Sequence, residues 1–187
     1  DEISMFYDPM ISKLSTWAPT REGAIDAMGA ALERFHIEGL GHNVPFLAAV
    51  MDESRFRSGA LATSYIKDQF PEGFQGTLAT GFQRDVQVAV ACAMHQRQAE
   101  RAWPGRGRDH WVVALGDEDL PVRLASAPEG PSVTLVAEGR TLQLSDVAWR
   151  PGQGVFAGRL NGAAFSVQVR PAAEGFVIRH RAAEARV

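Results

Sequence analysis

The chain carries one cysteine, Cys92, two lysines, Lys13 and Lys67, and two tyrosines among its 187 residues. A lone thiol forms no internal disulfide, as expected in a reducing compartment such as the cytoplasm. No stretch approaches the roughly 20 apolar residues that a membrane span needs. The first residues, Asp1-Glu2, are acidic where a secretory leader would be basic and then apolar. A net charge of −3 offers no basic face to nucleic acid. Of the 19 basic residues 17 are arginine, which reads as a compositional bias rather than a site. What remains is globular: 45% hydrophobic and 22% charged, which excludes collagen, coiled coil and wholesale disorder.

The composition shifts along the chain. Residues 1–75 hold 11 acids and 6 bases, whereas 76–187 hold 11 acids and 13 bases. Between them, Phe70-Pro71-Glu72-Gly73-Phe74-Gln75-Gly76 interrupts both helical and strand patterns. Two domains are expected, 1–75 and 76–187, with no internal repeat.

The first part reads as a short strand, with Ile3, Met5 and Tyr7 alternating before Asp8-Pro9, followed by helices. Thr20 is a good N-cap for a helix over 21–36, in which Ile25, Met28, Leu32 and Phe35 recur at spacings of three and four. Gly39 and Gly41 are expected to end it, and Asn43 to cap a second helix carrying Val44, Phe46, Leu47, Val50 and Met51. Thr63 or Ser64 starts a third, running to Phe70. Such a piece is thin on core and should lean on something else.

The second part opens with Val86 to Met94, apolar at almost every position within a helix predicted over 83–101. A helix apolar all round must be buried all round. Turn signals then recur every eight to twelve residues, as in Gly116-Asp117, Asn161-Gly162 and Glu174-Gly175. They separate short strands expected near 110–115, 120–125, 132–137, 140–145, 147–150, 155–160, 163–170 and 175–181. Phe165, Val167 and Val169 should face the core, and Ser166, Gln168 and Arg170 the solvent. The expected fold class is α+β, a helical part followed by about eight antiparallel strands that form a curved sheet or β-barrel wrapped around a long central helix.

Residues that carry chemistry are sparse. The histidines, His36, His42, His95, His110 and His180, show no metal-ligand spacing with each other or with Cys92, which sits mid-helix as a small hydrophobe. No serine has a Gly-x-Ser-x-Gly setting. Gly105-Arg106-Gly107-Arg108 follows a helix and lacks the spacing of a phosphate loop, and Asp117-Glu118-Asp119 reads as a solvated hairpin tip. The sequence shows a scaffold and no catalytic, cofactor-binding or metal-binding residue.

Several spaced motifs nevertheless resemble a known family. Phe6-Tyr7-Asp8-Pro9-Met10-Ile11-Ser12-Lys13-Leu14, Arg21 with Ala24-Ile25, and Ile37-Glu38-Gly39-Leu40-Gly41-His42-Asn43 resemble the C-terminal subdomain of biotin carboxylases. Ser54-Arg55-Phe56, Gly59, Thr63 and Phe70-Pro71-Glu72-Gly73-Phe74 are similar to the stretch closing that domain in α subunits of the propionyl-CoA carboxylase type. In that family the next domain joins the α to the β subunit through a central helix inside an eight-stranded barrel, the shape already reached from periodicity.

The resemblance implies a hetero-oligomer, of α6β6 composition, that uses ATP, magnesium and bicarbonate to carboxylate biotin. Its carboxyltransferase β subunit passes the carboxyl group to an acyl-CoA, in the bacterial cytoplasm or the mitochondrial matrix. Catalytic and biotin-bearing residues would lie outside 1–187. Asp8 is then a turn former and Lys13 a surface residue. The loop between the central helix and the first strand hooks the β subunit in this family, which makes Arg101, Trp103, Pro104, Arg106, Arg108 and His110 the candidate partner-binding residues. Trp and Arg are enriched at binding hot spots, and Pro104 limits the entropy lost on docking. Two other readings are a methylcrotonyl- or geranyl-CoA carboxylase α subunit and a stand-alone ligand-binding barrel.

Overall fold

The computed structural model describes residues 10–102, 104–105, 108–127 and 130–187, without the side chain of Ala127. The strand expected over Ile3 to Tyr7 lies outside them. Four helices come first: α1 (Arg21–Arg34), α2 (Val44–Asp52), α3 (Ser54–Ser58) and α4 (Tyr65–Gln69). A long helix, α5 (Gly81–Ala102), follows, and then eight strands: β1 (His110–Leu115), β2 (Glu118–Ala127), β3 (Gly130–Leu135), β4 (Arg140–Ala148), β5 (Val155–Leu160), β6 (Ala163–Pro171), β7 (Phe176–His180) and β8 (Ala183–Arg186).

Thr20 caps α1 as expected, its Oγ1 accepting from the Gly23 amide at 3.1 Å. The helix ends at Arg34, before the glycines expected to stop it, because Gln168 on β6 takes its last carbonyls. Gln168 Nε2 donates to Leu32, Glu33 and Phe35 oxygens at 3.3, 3.4 and 2.9 Å. Asn43 stands at the N-cap of α2 without a side-chain bond, and Pro45 presets its first turn. Helix α3 was not anticipated. The Glu53 carboxylate builds it by accepting from the amides of Arg55 and Phe56 at 3.0 and 2.8 Å, while Gly59 closes it at φ +78°. Tyr65 donates to the same carboxylate at 3.0 Å, which ties α4 to α3.

Every residue of α5 from Asp85 to Met94 is buried. Around it β1 to β8 pair in chain order, all antiparallel, as a nearly closed barrel. At the seam Gly116 N donates to Arg186 O at 3.3 Å, bringing the end of β1 to β8. Val86, Val88, Ala89 and Val90 pack with Val122, Val133, Leu142, Leu144, Phe156 and Ile178 in one apolar cluster. Gln87 is enclosed with them, its Nε2 donating to the carbonyls of Ile178 and Ala183 at 3.2 and 3.1 Å. At the N-terminal mouth of the barrel, Asp85 accepts two bonds from Arg140 at 2.9 Å, and Arg84 bridges Glu118 and Glu138 at 2.7 and 3.0 Å. Glu118 thus stands exposed beside the β1–β2 turn, as expected of a hairpin tip, and also belongs to an ion-pair network.

The strand count matches expectation but its partition does not. The stretch 147–150 is no separate strand: β4 continues past Ser145 to Ala148 over a register shift, with Asp146 at φ +50°. The stretch 175–181 conceals a hairpin, since β7 turns into β8 through Arg181-Ala182, where Arg181 adopts φ +56°. Asn161-Gly162 forms the tight turn its residues require, with φ +50° and +84°.

The outer face of β6 corrects another expectation. Phe165, Val167 and Val169 do face the core, but Ser166 and Gln168 are buried too, covered by α1; only Arg170 of the three polar residues is exposed. Arg34 Nε donates to Ser166 Oγ at 3.3 Å, and Ala182 at the β7–β8 turn joins the apolar cluster of Leu32, Val44, Ala48 and Ala49. The His36 ring lies against Gly154, where a Cβ would come within 2.4 Å of it. Arg181 reaches Glu33 at 3.2 Å and also pairs with Asp52. Buried beside them, His180 Nε2 lies 3.7 Å from Glu33. Burial, and then the Arg181 charge, push the His180 pKa down to about 4, while burial raises that of Glu33.

Two outcomes follow from this packing. Ala89→Asp or Ala93→Asp places an unpaired charge in the apolar centre and should cost several kcal/mol, roughly 3–5, in thermal or urea unfolding; a variant melting with the parent excludes a central α5. The His180 ring is held neutral in the fold but takes a proton once unfolded, so its contribution is intact above about pH 6.5 and is lost as pH falls toward 4. Glu33 acts with the opposite sign. Between pH 7 and 4.5, urea unfolding should show the parent losing about 2 kcal/mol more than His180→Asn; equal losses contradict the assignment.

Candidate functional site

The five histidines do not converge. His36 bonds Glu38 at 2.9 Å, His42 faces Arg179, and His180 lies at the junction between α1 and the β7–β8 turn. His95 sits edge-on under Trp111, ring centroids 4.2 Å apart, and burial lowers its pKa. Cys92 is buried in α5 and burial pushes its thiol up to about 12, the behaviour of a small hydrophobe rather than a nucleophile. Among the described residues no three His, Cys, Asp or Glu side chains group to hold a metal ion. Lys13 is exposed, and Asp8 lies outside the described residues. Among the described residues no set of side chains in this arrangement fits a magnesium ion.

The connector from α5 to β1 is the other candidate. Arg101 occupies the exposed last turn of α5, Pro104 and Gly105 form an exposed turn, and Arg108 and His110 are exposed ahead of and at the start of β1. Trp103 and Arg106 lie outside the described residues. The far end of the connector is pinned: Trp111 Nε1 donates to Arg108 O at 2.9 Å, and Leu124 N to Asp109 O at 2.6 Å. His110 Nε2 accepts from Arg123 Nε at 3.2 Å, so its proton sits on Nδ1, 2.8 Å from Asp109 Oδ1. That contact holds the Asp109 carboxyl below its usual range.

Beside the connector runs a feature that sequence reasoning missed. A groove of about 610 Å³ lies along the barrel seam, lined by Trp111, Val112, Leu124, Phe176 and Val187 and floored by Cys92 and His95 of α5. Val112 is 60% exposed next to it. The signal was present in Trp111-Val112-Val113: consecutive apolar residues on a strand cannot all face one core, so one must face outward. A rigid barrel thus presents an apolar groove flanked by an arginine-bearing connector, an arrangement that can dock a protein surface and offers no catalytic group.

Comparison with known proteins places both parts. Residues 1–68 match the family model of the biotin carboxylase C-terminal domain, and residues 88–187 match that of the propionyl-coenzyme A carboxylase BT domain. The whole chain is 40% identical, over 195 aligned residues, to a propionyl-CoA carboxylase alpha chain of Ruegeria pomeroyi, of which it covers 28%. It is 44% identical over 101 residues to the mitochondrial alpha chain of Caenorhabditis elegans, covering 54% of this chain and 14% of that one. It is 31% identical over 179 residues to that of Mus musculus, covering 89% and 24%. The chain thus spans little more than a quarter, at most, of these relatives' length. Since the second match takes in more than half of its residues, the chain belongs to the propionyl-coenzyme A carboxylase BT domain family, with a biotin carboxylase C-terminal segment preceding the barrel.

Proposed function

We propose that residues 1–187 are the part of a biotin-dependent acyl-CoA carboxylase α subunit that joins its biotin carboxylase domain, ending at 75, to the carboxyltransferase β subunit through a docking barrel, 76–187. The observation that carries this reading is the filled lumen. Val86, Val88, Ala89 and Val90 leave no accessible surface inside the barrel, which excludes a ligand-binding barrel and leaves the outer surface to do the work. The apolar seam groove and the connector supply that surface, and the relatives named propionyl-CoA carboxylase alpha chain favour propionyl-CoA as the acyl acceptor.

In this reading the whole α subunit uses ATP, magnesium and bicarbonate to carboxylate biotin, the β subunit transfers the carboxyl group, and the assembly is α6β6. Two relatives are named mitochondrial; the site of action is the mitochondrial matrix in a eukaryote and the cytoplasm in a bacterium. Among the described residues no helix is long and apolar enough to cross a membrane. The task of this segment is positional. Arg101, Trp103, Pro104, Arg106, Arg108 and His110 anchor the β subunit, and the bonds from Gln168 to the end of α1 carry that anchorage to the carboxylase domain.

The 187-residue chain alone should hydrolyse no ATP in the presence of bicarbonate; turnover above background counts against the division of labour. Replacing both anchors, Trp103→Ala with Arg106→Ala, should weaken association of purified α with β by about 2 kcal/mol, roughly 30-fold in Kd, and leave the melting of α unchanged. An unaltered affinity in that titration moves the docking surface off the connector.

A further inference from the structure

At the junction between the α1–α2 loop and the barrel lies a cavity of about 470 Å³, away from the seam groove. The loop contributes His36, Glu38, Leu40 and His42, and the barrel contributes Arg170, Arg179 and Glu184. Two carboxylates stand in its wall, and both are already taken. Glu38 holds His36 at 2.9 Å, and Glu184 accepts from Arg170 Nη2 at 2.7 Å. Arg179 is only 8% exposed; Glu184, its register partner on β8, favours its charge at longer range, but among the described residues no carboxylate is in ion-pair contact with it. Its partners are neutral acceptors: Gln168 Oε1, and His42 Nε2 at 3.5 Å.

A guanidinium has five N–H donors, and a buried cation with no carboxylate in direct contact is costly. The two neutral partners leave Arg179 donors unused at the cavity wall, and they fix the plane of the guanidinium. His42 accepts at Nε2, so its proton is on Nδ1, and that atom is buried without a partner. Burial, and then the Arg179 charge, lower the His42 pKa, which disfavours a competing cation there. Arg170 has Glu184 in contact, whereas Arg179 has only neutral groups bonded to it, beside a space that admits a small molecule.

We propose that this cavity binds a small oxyanion, a carboxylate or phosphate group, with Arg179 as its charge partner and Gln168 and His42 orienting the guanidinium. An anion there would also clamp the junction, because the same Gln168 caps α1. The site is independent of β-subunit docking.

The test uses protein carrying the whole of residues 1–187, with sodium phosphate and sodium malonate as probes against sodium chloride at matched ionic strength, followed by calorimetric titration and melting temperature. Saturable binding of phosphate alone identifies a phosphoryl ligand, of malonate alone a carboxylate ligand, and either supports the site. Arg179→Gln should abolish binding. Leu40→Glu adds a carboxylate at the exposed wall without touching the junction bonds and should weaken binding about tenfold, which keeps the test decisive if Arg179→Gln does not fold. No saturable binding beyond chloride, or binding unchanged in Leu40→Glu and in any Arg179→Gln protein that folds, overturns the proposal.

Discussion

The burial of α5 inside the strand ring is the constraint on which everything else rests. An eight-stranded barrel has an interior about wide enough for its own side chains, and a helix enters only if its residues are small. The sequence supplies them: Ala89, Ala91, Cys92 and Ala93 lie on the buried stretch, with valines between. Larger inward residues come from the sheet instead, among them Leu142, Leu144, Phe156 and Ile178, all fully buried. With a helix as filling, the ring need not close by side chains, and β1 meets β8 over a seam where α5 itself, through Cys92 and His95, floors the groove. The seam groove is a consequence of the way the core is filled.

The second organising contact is the Gln168 side chain. Its amide nitrogen ends α1 and its oxygen accepts from Arg179, so one residue on β6 joins the helical part to β7. A helix C-terminus carries unsatisfied carbonyls and partial negative charge, and a buried Arg nearby through a neutral relay suits both. Together with Arg181 on Glu33 and Asp52, and Ala182 in the helical cluster, this makes the β7–β8 turn the point where the barrel grips α1 and α2.

Legibility in the sequence followed the range of the interaction. The Thr20 cap, the Asn161-Gly162 turn and the all-apolar helix depend on neighbours in the chain, and they were readable from it. Arg181-Ala182 carries no turn-forming residue; its φ of +56° accompanies ion pairs to residues far earlier in the chain, so β8 was merged with β7. Glu53 is not among the usual capping residues, so α3 went unseen. Ser166 and Gln168 showed by alternation that one face of β6 is polar, but alternation cannot say whether water or another helix covers it. The connector is the extreme case: its tryptophan, arginines and Pro104 have the chemistry of a docking loop, but nothing from Arg101 to His110 identifies a partner, which only the resemblance to a family suggests.

The same local pairing extends to the titratable side chains of the segment. Its histidines are each engaged locally, with Glu38, Arg179, Trp111, Asp109 and Glu33, and burial keeps Cys92 protonated. Burial and local pairing of this kind serve rigidity, since a group already paired or desolvated is a poor proton carrier. A rigid joint is what a positional task demands: any slack between α1 and the barrel would appear as displacement at whatever docks on the seam. The charged collar of Arg84, Asp85, Glu118, Glu138 and Arg140 fixes one end of α5 to the strands, and Gln168 fixes the strands to α1. Bonded side chains thus link α5, the strands and the end of α1 in one continuous set of contacts.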